Sequence, residues 1–321
     1  MKCFILAVLL AVASAAHAQE NWPMYPLRPM RLIAGFAAGG NSDTSARLFA
    51  AEIGKRLGQI MVVDNRLGAG GTLASTMVAR ATPDGYTLLW ATGAHPATAA
   101  LYANLQYDTM KSFSYVSTGI EFPLVIAVRA DSPYRTLGDL INASKAAPRK
   151  VSYSSPGLGT TVHLTIEYLE SLAGGTMQHI PYKGGTASVV GMLAGEASMV
   201  IASPLDIVPQ ALAGKMRVLA VTSKKRYAKL PEAPTVDEAG VKGFDVSTWN
   251  GLVAPAGTPG IIVKRLAAEM QRTAQLPDVR QTVERIGSEA MACTPEALTQ
   301  RVEVELKRWV HIVRTRNVKQ Q

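Results

Sequence analysis

Twice in this chain a strand-like run stops at two closely spaced glycines and hands over to a helical run. The first runs through Met30-Arg31-Leu32-Ile33-Ala34-Gly35-Phe36 and then Ala37-Ala38-Gly39-Gly40-Asn41-Ser42-Asp43. After it, Thr44 to Leu57 puts Ala46, Phe49, Ile53 and Leu57 on one helical face. The second runs from Val151 to Ser154, through Ser155-Pro156-Gly157-Leu158-Gly159-Thr160-Thr161, into a helix from Thr160 to Leu172 that carries His163. A strand that turns directly into a helix belongs to a crossover unit, and crossover units build parallel sheets covered by helices. The fold class that follows is α/β.

The alternation fills most of the chain. Strands are predicted at Met61 to Val63, Tyr86 to Trp90, Pro123 to Val128, Met177 to Tyr182, Met199 to Ala202, Arg217 to Val221 and Gly251 to Ala254. Helices are predicted at Thr72 to Ala81, from Thr136 as cap, at Thr186 to Ala194, Val208 to Ala213, Ile261 to Gln275, Pro277 to Ile286 and Ala297 to Thr315. So many alternations exceed one small sheet and call for two α/β lobes. No low-complexity linker separates them, and the best boundary, Leu230 to Asp245, lies well past the middle. The chain is therefore expected to cross between lobes more than once, its C-terminal helices returning to cover the first.

Residues 1–18 read as a signal peptide. Lys2 gives a positive start, Phe4 to Ala13 an apolar run, and Ala16-His17-Ala18 a small-x-small cleavage site. That run is too short to span a bilayer, so export is expected, with a mature start at Gln19 and a periplasmic location. Removal of the leader takes Lys2 from a formal charge of +9 and leaves Cys293 as the lone cysteine, so no internal disulfide is expected. With 18% charged residues and its basic groups scattered without aromatic interleaving, the chain gives no sign of nucleic-acid binding.

The glycine loops admit two readings. Each can be a structural turn, with Ser42 or Asp43 capping the first helix. Each can also be an anion cradle, because unpaired N–H groups and the positive dipole end converge there. The first loop lacks the Lys-Ser/Thr of a Walker loop and the third spaced glycine of a dinucleotide fingerprint. Catalytic constellations are thin: His95, His163, His179 and His311 have no metal-ligand spacing, no Gly-x-Ser-x-Gly elbow occurs, and nothing argues for hydrolase chemistry. Cys293 reads as an inert thiol, Tyr182 either as a ligand cover or as sheet-edge packing, and Trp249 as core.

Five segments in order resemble the Bug family, the periplasmic solute receptors of tripartite tricarboxylate transporters. They are Arg31 to Asp43, Asp64 to Gly71, Pro83 to Leu89, Pro181 to Gly184 and Gly251 to Pro259. The resemblance implies a type II periplasmic-binding-protein fold with a ligand cleft between two lobes. One lobe would take residues 19–122 and 250–321, the other 123–249. It also implies a small carboxylate held by Phe36, Ala37, Ala38, Gly39, Gly40, Ser42 and Asp43 on one side. Ser155, Gly159, Thr160, Thr161 and His163 would hold it on the other, with Thr92, Tyr182, Ala202 and Ser203 also facing the cleft. The implied protein is a monomer without cofactor, metal or catalytic residue, touching membrane permease subunits transiently. A loaded receptor for a membrane sensor and a periplasmic enzyme on the same scaffold are the alternatives. Two departures matter. The first loop lacks the family's prolines before its Gly-Gly pair, which predicts less preorganisation. Ile201-Ala202-Ser203 stands where Phe-Asp-Asn is common, which points away from a ligand with an amino group.

Overall fold

The computed structural model describes residues 24–102 and 104–318; the expected signal peptide lies outside them. The chain runs β1 (Met30–Ala34), α1 (Asn41–Leu57), β2 (Met61–Asn65), α2 (Thr72–Ala79), β3 (Thr87–Thr92), α3 (Ala94–Leu101) and β4 (Phe113–Pro123). It continues with β5 (Val125–Arg129), α4 (Leu137–Ala146), β6 (Ser152–Ser155), α5 (Thr161–Ala173), β7 (Gln178–Pro181), α6 (Gly185–Leu193), β8 (Met199–Ala202), α7 (Pro204–Leu212) and β9 (Met216–Val221). It closes with β10 (Ser247–Pro255), α8 (Gly260–Gln275), α9 (Pro277–Arg285), β11 (Glu289–Ala290) and α10 (Pro295–Thr315).

Two sheets result. The first has the order β11-β4-β10-β3-β1-β2, the second β7-β6-β8-β5-β9. β1 is parallel to β2 and β3, and β6 is parallel to β7 and β8, as crossover units require. β10 and β5 run antiparallel to both their neighbours. These are the strands on which the chain arrives from the other sheet. Only Leu124 separates β4 from β5. One buried side chain fastens both crossings: Thr222 Oγ1 accepts from Leu124 N at 2.8 Å and donates to Val246 O at 2.7 Å.

Local chemistry explains several helix starts. Thr136 and Asp139 form a reciprocal capping box on α4, and Thr294 accepts from Ala297 N at 3.2 Å to start α10. The start of α1 corrects one expectation. The helix begins at Asn41 with Gly40 as its cap, so Ser42 and Asp43 lie inside the first turn. The segment between Trp90 and Pro123, for which no element was expected, holds α3 and β4. β4 escaped pattern reading because it is buried on both faces while carrying Ser117, Thr118 and Gly119. Ser117 finds its side-chain partners only in the fold, while Thr118 Oγ1 is buried without one. Ser117 Oγ donates to Cys293 O at 2.9 Å and accepts from Cys293 N at 3.1 Å. β10 is longer than the expected Gly251 to Ala254 for the same reason: Trp249 Nε1 donates to buried Glu305 and Asn250 to Asn41.

Candidate functional site

The loop from Gly35 to Gly40 leaves the C-terminal end of β1 and is tied down by one carboxylate. Gly39 has φ +83, a conformation that favours glycine, and its N–H donates to Asp43 Oδ2 at 3.0 Å. Asp43 also accepts from Arg47 Nε at 3.1 Å and from Asn65 Nδ2 at 3.0 Å. Asn65 Nδ2 donates to Phe36 O at 2.9 Å as well. Burial pushes the Asp43 carboxyl upward, but the bonds from Arg47, Gly39 and Asn65 outweigh it and hold its pKa below the ordinary value. These bonds tie the loop to α1 and β2 in the absence of prolines. They also commit the Asp43 side chain to the loop itself. The N–H groups of Asn41 and Ser42, in the first turn of α1, have no intrahelical acceptor. Ser42 Oγ is buried there without a hydrogen-bond partner. Ala37, Ala38 and Gly40 are exposed.

The loop from Ser155 to Thr160 leaves the C-terminal end of β6 and is held by neutral groups. Thr160 caps α5: its Oγ1 accepts from His163 N at 3.3 Å and donates to Gly157 O at 2.8 Å. Gly159 N donates to His163 Nδ1 at 3.3 Å, which places the His163 proton on Nε2. His163 stacks on His179 with ring centroids 4.2 Å apart, and His179 stacks on Tyr153 at 4.8 Å. His179 Nε2 pairs with Ser155 Oγ at 2.7 Å. Burial lowers the His163 pKa to about 4; burial and then the neighbouring His163 lower that of His179 to about 3. Both rings are therefore neutral at pH 7. With Thr160 engaged, the next hydroxyl is the free one: Thr161 Oγ1 is buried without a partner.

Contacts near both loops join the half of the chain around one sheet to the half around the other. Gly159 packs so closely on α3 that an added Cβ would lie 2.7 Å from Leu101 Cδ2. A Cβ at Gly93 would lie 3.2 Å from Thr161 Oγ1. Asn41, the first residue of α1, donates from Nδ2 to Ser288 Oγ at 2.9 Å. Next to it, Gly287 faces Pro204 of the second lobe, where an added Cβ would meet Pro204 Cβ at 2.8 Å. Thr92 sits at the C-terminal end of β3, its Oγ1 accepting from Ala94 N at 3.2 Å. Below it lies a cavity of ≈ 10 Å³ lined by Phe36, Gly71, Ser75, Thr92, His95 and Thr98. That is space for about one water. Two sheets with crossover loops converging on one seam have the architecture of a two-lobe binding protein.

A family model described as "Tripartite tricarboxylate transporter family receptor" matches residues 45–318. The chain belongs to this receptor family. The structure of periplasmic binding protein BugD is similar at 34% identity and a TM-score of 0.81, over 92% of this chain and 100% of BugD. R. palustris Rpa4515 with adipate matches at 32% identity and a TM-score of 0.83, over 92% and 99%. MatC from Rhodopseudomonas palustris with bound malate matches at 32% and 0.81, over 90% and 100%. The family and these neighbours are solute-binding receptors, not enzymes.

In this receptor the other expected site residues divide. Ala202 is buried at the end of β8, and Ser203 spends its hydroxyl on Asp206 Oδ2 at 2.7 Å. The Tyr182 side chain turns toward α6: its hydroxyl bonds the Glu196 carboxylate, and its ring fills the space over Gly191. Tyr182 meets the second loop only through its backbone, N–H to Ser155 O at 2.9 Å. Cys293 is half-buried, its Sγ accepting from Thr118 N at 3.5 Å. The sequence reading missed Asn250, which donates to Asn41 Oδ1 at 3.1 Å and to Ser45 Oγ at 3.2 Å, and so steadies the first turn of α1. It also missed Gly93, where an added Cβ would collide with Thr248 Oγ1 and crowd Thr161 Oγ1 at 3.2 Å. Nothing local marks either residue, because their partners are remote in sequence. Among the described residues, no group of His, Cys, Asp and Glu is arranged to hold a metal.

Proposed function

We propose that this receptor captures a small carboxylate in the periplasm and delivers it, as a monomer, to the permease subunits of a tripartite tricarboxylate transporter. Residues 1–18 direct export on this reading, and residues 19–122 with 250–321 move as one lobe against 123–249. One observation carries it. Ser42 Oγ and Thr161 Oγ1 are buried and unpartnered, each in the first turn of a helix, one from each side of the seam. Tyr107, Thr109, Thr118 and Tyr153 also bury hydroxyls without a partner, but among these groups Ser42 and Thr161 are the two that lie beside positive helix ends, where they suit an anionic guest. Adipate and malate in the similar receptors support a carboxylate. Ala202, where an acid would receive an amino group, supports a ligand without a cationic end.

Mass spectrometry of freshly purified mature protein identifies the ligand, and calorimetry on ligand-free protein measures it. Ser42→Ala and Thr161→Val are each expected to weaken binding about tenfold, the worth of one charge-assisted hydrogen bond. Neither should lower the melting temperature, because neither hydroxyl has a protein partner to lose. Wild-type affinity in both variants would refute the reading.

A further inference from the structure

A third helix end on the same edge is already filled. α6 starts at Gly185, and the carboxylate lying against that start is supplied by Asp206 of α7. Thr186 Oγ1 donates to Asp206 Oδ1 at 3.0 Å and Ser203 Oγ to Oδ2 at 2.7 Å. A Cβ at Gly185 would collide with the carboxylate, so a glycine there is a condition of the arrangement. Asp206 also lies in the first turn of its own helix, where no side-chain cap is made. One resident anion therefore serves two positive helix ends.

The position places this charge beside the ligand seam. α6 follows β7 and α7 follows β8, and both strands run parallel to β6. Their loops thus open on the edge that carries Ser155 to Thr160. Pro204 and Leu205, immediately before Asp206, abut Gly287 of the first lobe. The neighbouring Ser288 holds Asn41 at the first cradle.

We infer that Asp206 is a specificity-determining residue: it denies the α6 end to the ligand and sets a fixed negative charge beside the cleft, so the receptor favours a monocarboxylate over an α,ω-dicarboxylate of equal length. The inference rests on the carboxylate reading above and narrows it. A second anionic group would have to displace Asp206 or lie near it, and like charges at close range oppose each other. A neutral or hydroxylated tail meets no such cost.

Calorimetry with two matched probe pairs, butanoate with succinate and hexanoate with adipate, tests it on ligand-free full-length mature protein. Wild type is expected to bind the monocarboxylate of at least one pair more tightly. Asp206→Asn keeps the shape and removes the charge. It should raise the ratio of dicarboxylate to monocarboxylate affinity by about twofold to fivefold, the typical range of one helix-end charge interaction. Asp206→Ser reads the same ratio should the asparagine variant melt early. A ratio that stays constant in both variants, or a wild type that prefers the dicarboxylates, overturns the role of Asp206 and leaves the carboxylate reading standing. A wild type that binds no member of either pair also overturns the role of Asp206, while the carboxylate reading stands or falls with the ligand that mass spectrometry identifies.

Discussion

Between β1 and α1 the chain is tied by one buried carboxylate, whereas between β6 and α5 it is tied by hydroxyls and two neutral histidines. The backbone results are alike. Gly39 at φ +83 and Gly159 at φ +70 each lie in a loop that leads from a strand into a helix. The supports differ in how they respond to charge. Asp43 gains from its donors when ionised. His163 and His179 hold their loop only while uncharged, with His163 accepting from Gly159 N through a bare nitrogen. Two loops of the same construction have thus been fixed by two unrelated devices, one electrostatic and one aromatic.

The largest expected effect breaks the electrostatic device. Asp43→Ala leaves Gly39 N–H, Asn65 and Arg47 without their acceptor, which should cost about 3 kcal/mol in urea unfolding at pH 7. A loss well under 1 kcal/mol would show that the first loop does not depend on its charge.

Acidification probes the second device. The His163 pKa is about 4 in the folded protein against an ordinary 6.5. Between these values the unfolded chain takes up a proton that the folded chain refuses, so stability falls as pH falls through this window. Asp43 runs in the same direction in a lower window. Its folded pKa is lowered, so its contribution is present above the ordinary 3.8 and is lost only at lower pH. Glu170 works against the histidines: burial first and then Glu167 raise its pKa to about 7, so it favours the folded state as pH falls. A difference between variants removes that background. The stability lost from pH 7 to about pH 4.5 should be smaller in His163→Asn than in wild type by about 2 kcal/mol. Equal losses would mean that His163 carries a charge in the fold.

Thr160→Val gives the smallest effect and the finest test. It removes the cap on α5 and the bond to Gly157 O, for about 1 kcal/mol of stability by thermal unfolding. Ligand affinity should hold near the wild-type value, unlike that of Thr161→Val. Reduced affinity at an unchanged melting temperature would make Thr160 itself a ligand donor.

Much of the fold was legible because its causes are local. Two glycine turns, Thr136, Thr160 and Thr294 as helix starts, and strands that alternate with helices all depend on neighbours a few residues away. The unread parts lacked local cause. β4 is a strand because Ser117, Thr118 and Gly119 are buried against β10, β11 and Trp90, not because its own sequence alternates. The same division runs through the site. Sequence alone placed two hydroxyl-bearing glycine loops before helices. Which hydroxyl stays free was decided elsewhere: Gly157 O takes Thr160, while Thr161 faces Gly93 across the seam and finds no bond. Asp43 answers to Asn65, Tyr182 to Glu196, and Asp206 to a helix that begins twenty-one residues earlier at Gly185. A turn is set by the torsions of adjacent residues, but a polar atom's partner is set by which distant segments the core packs against it.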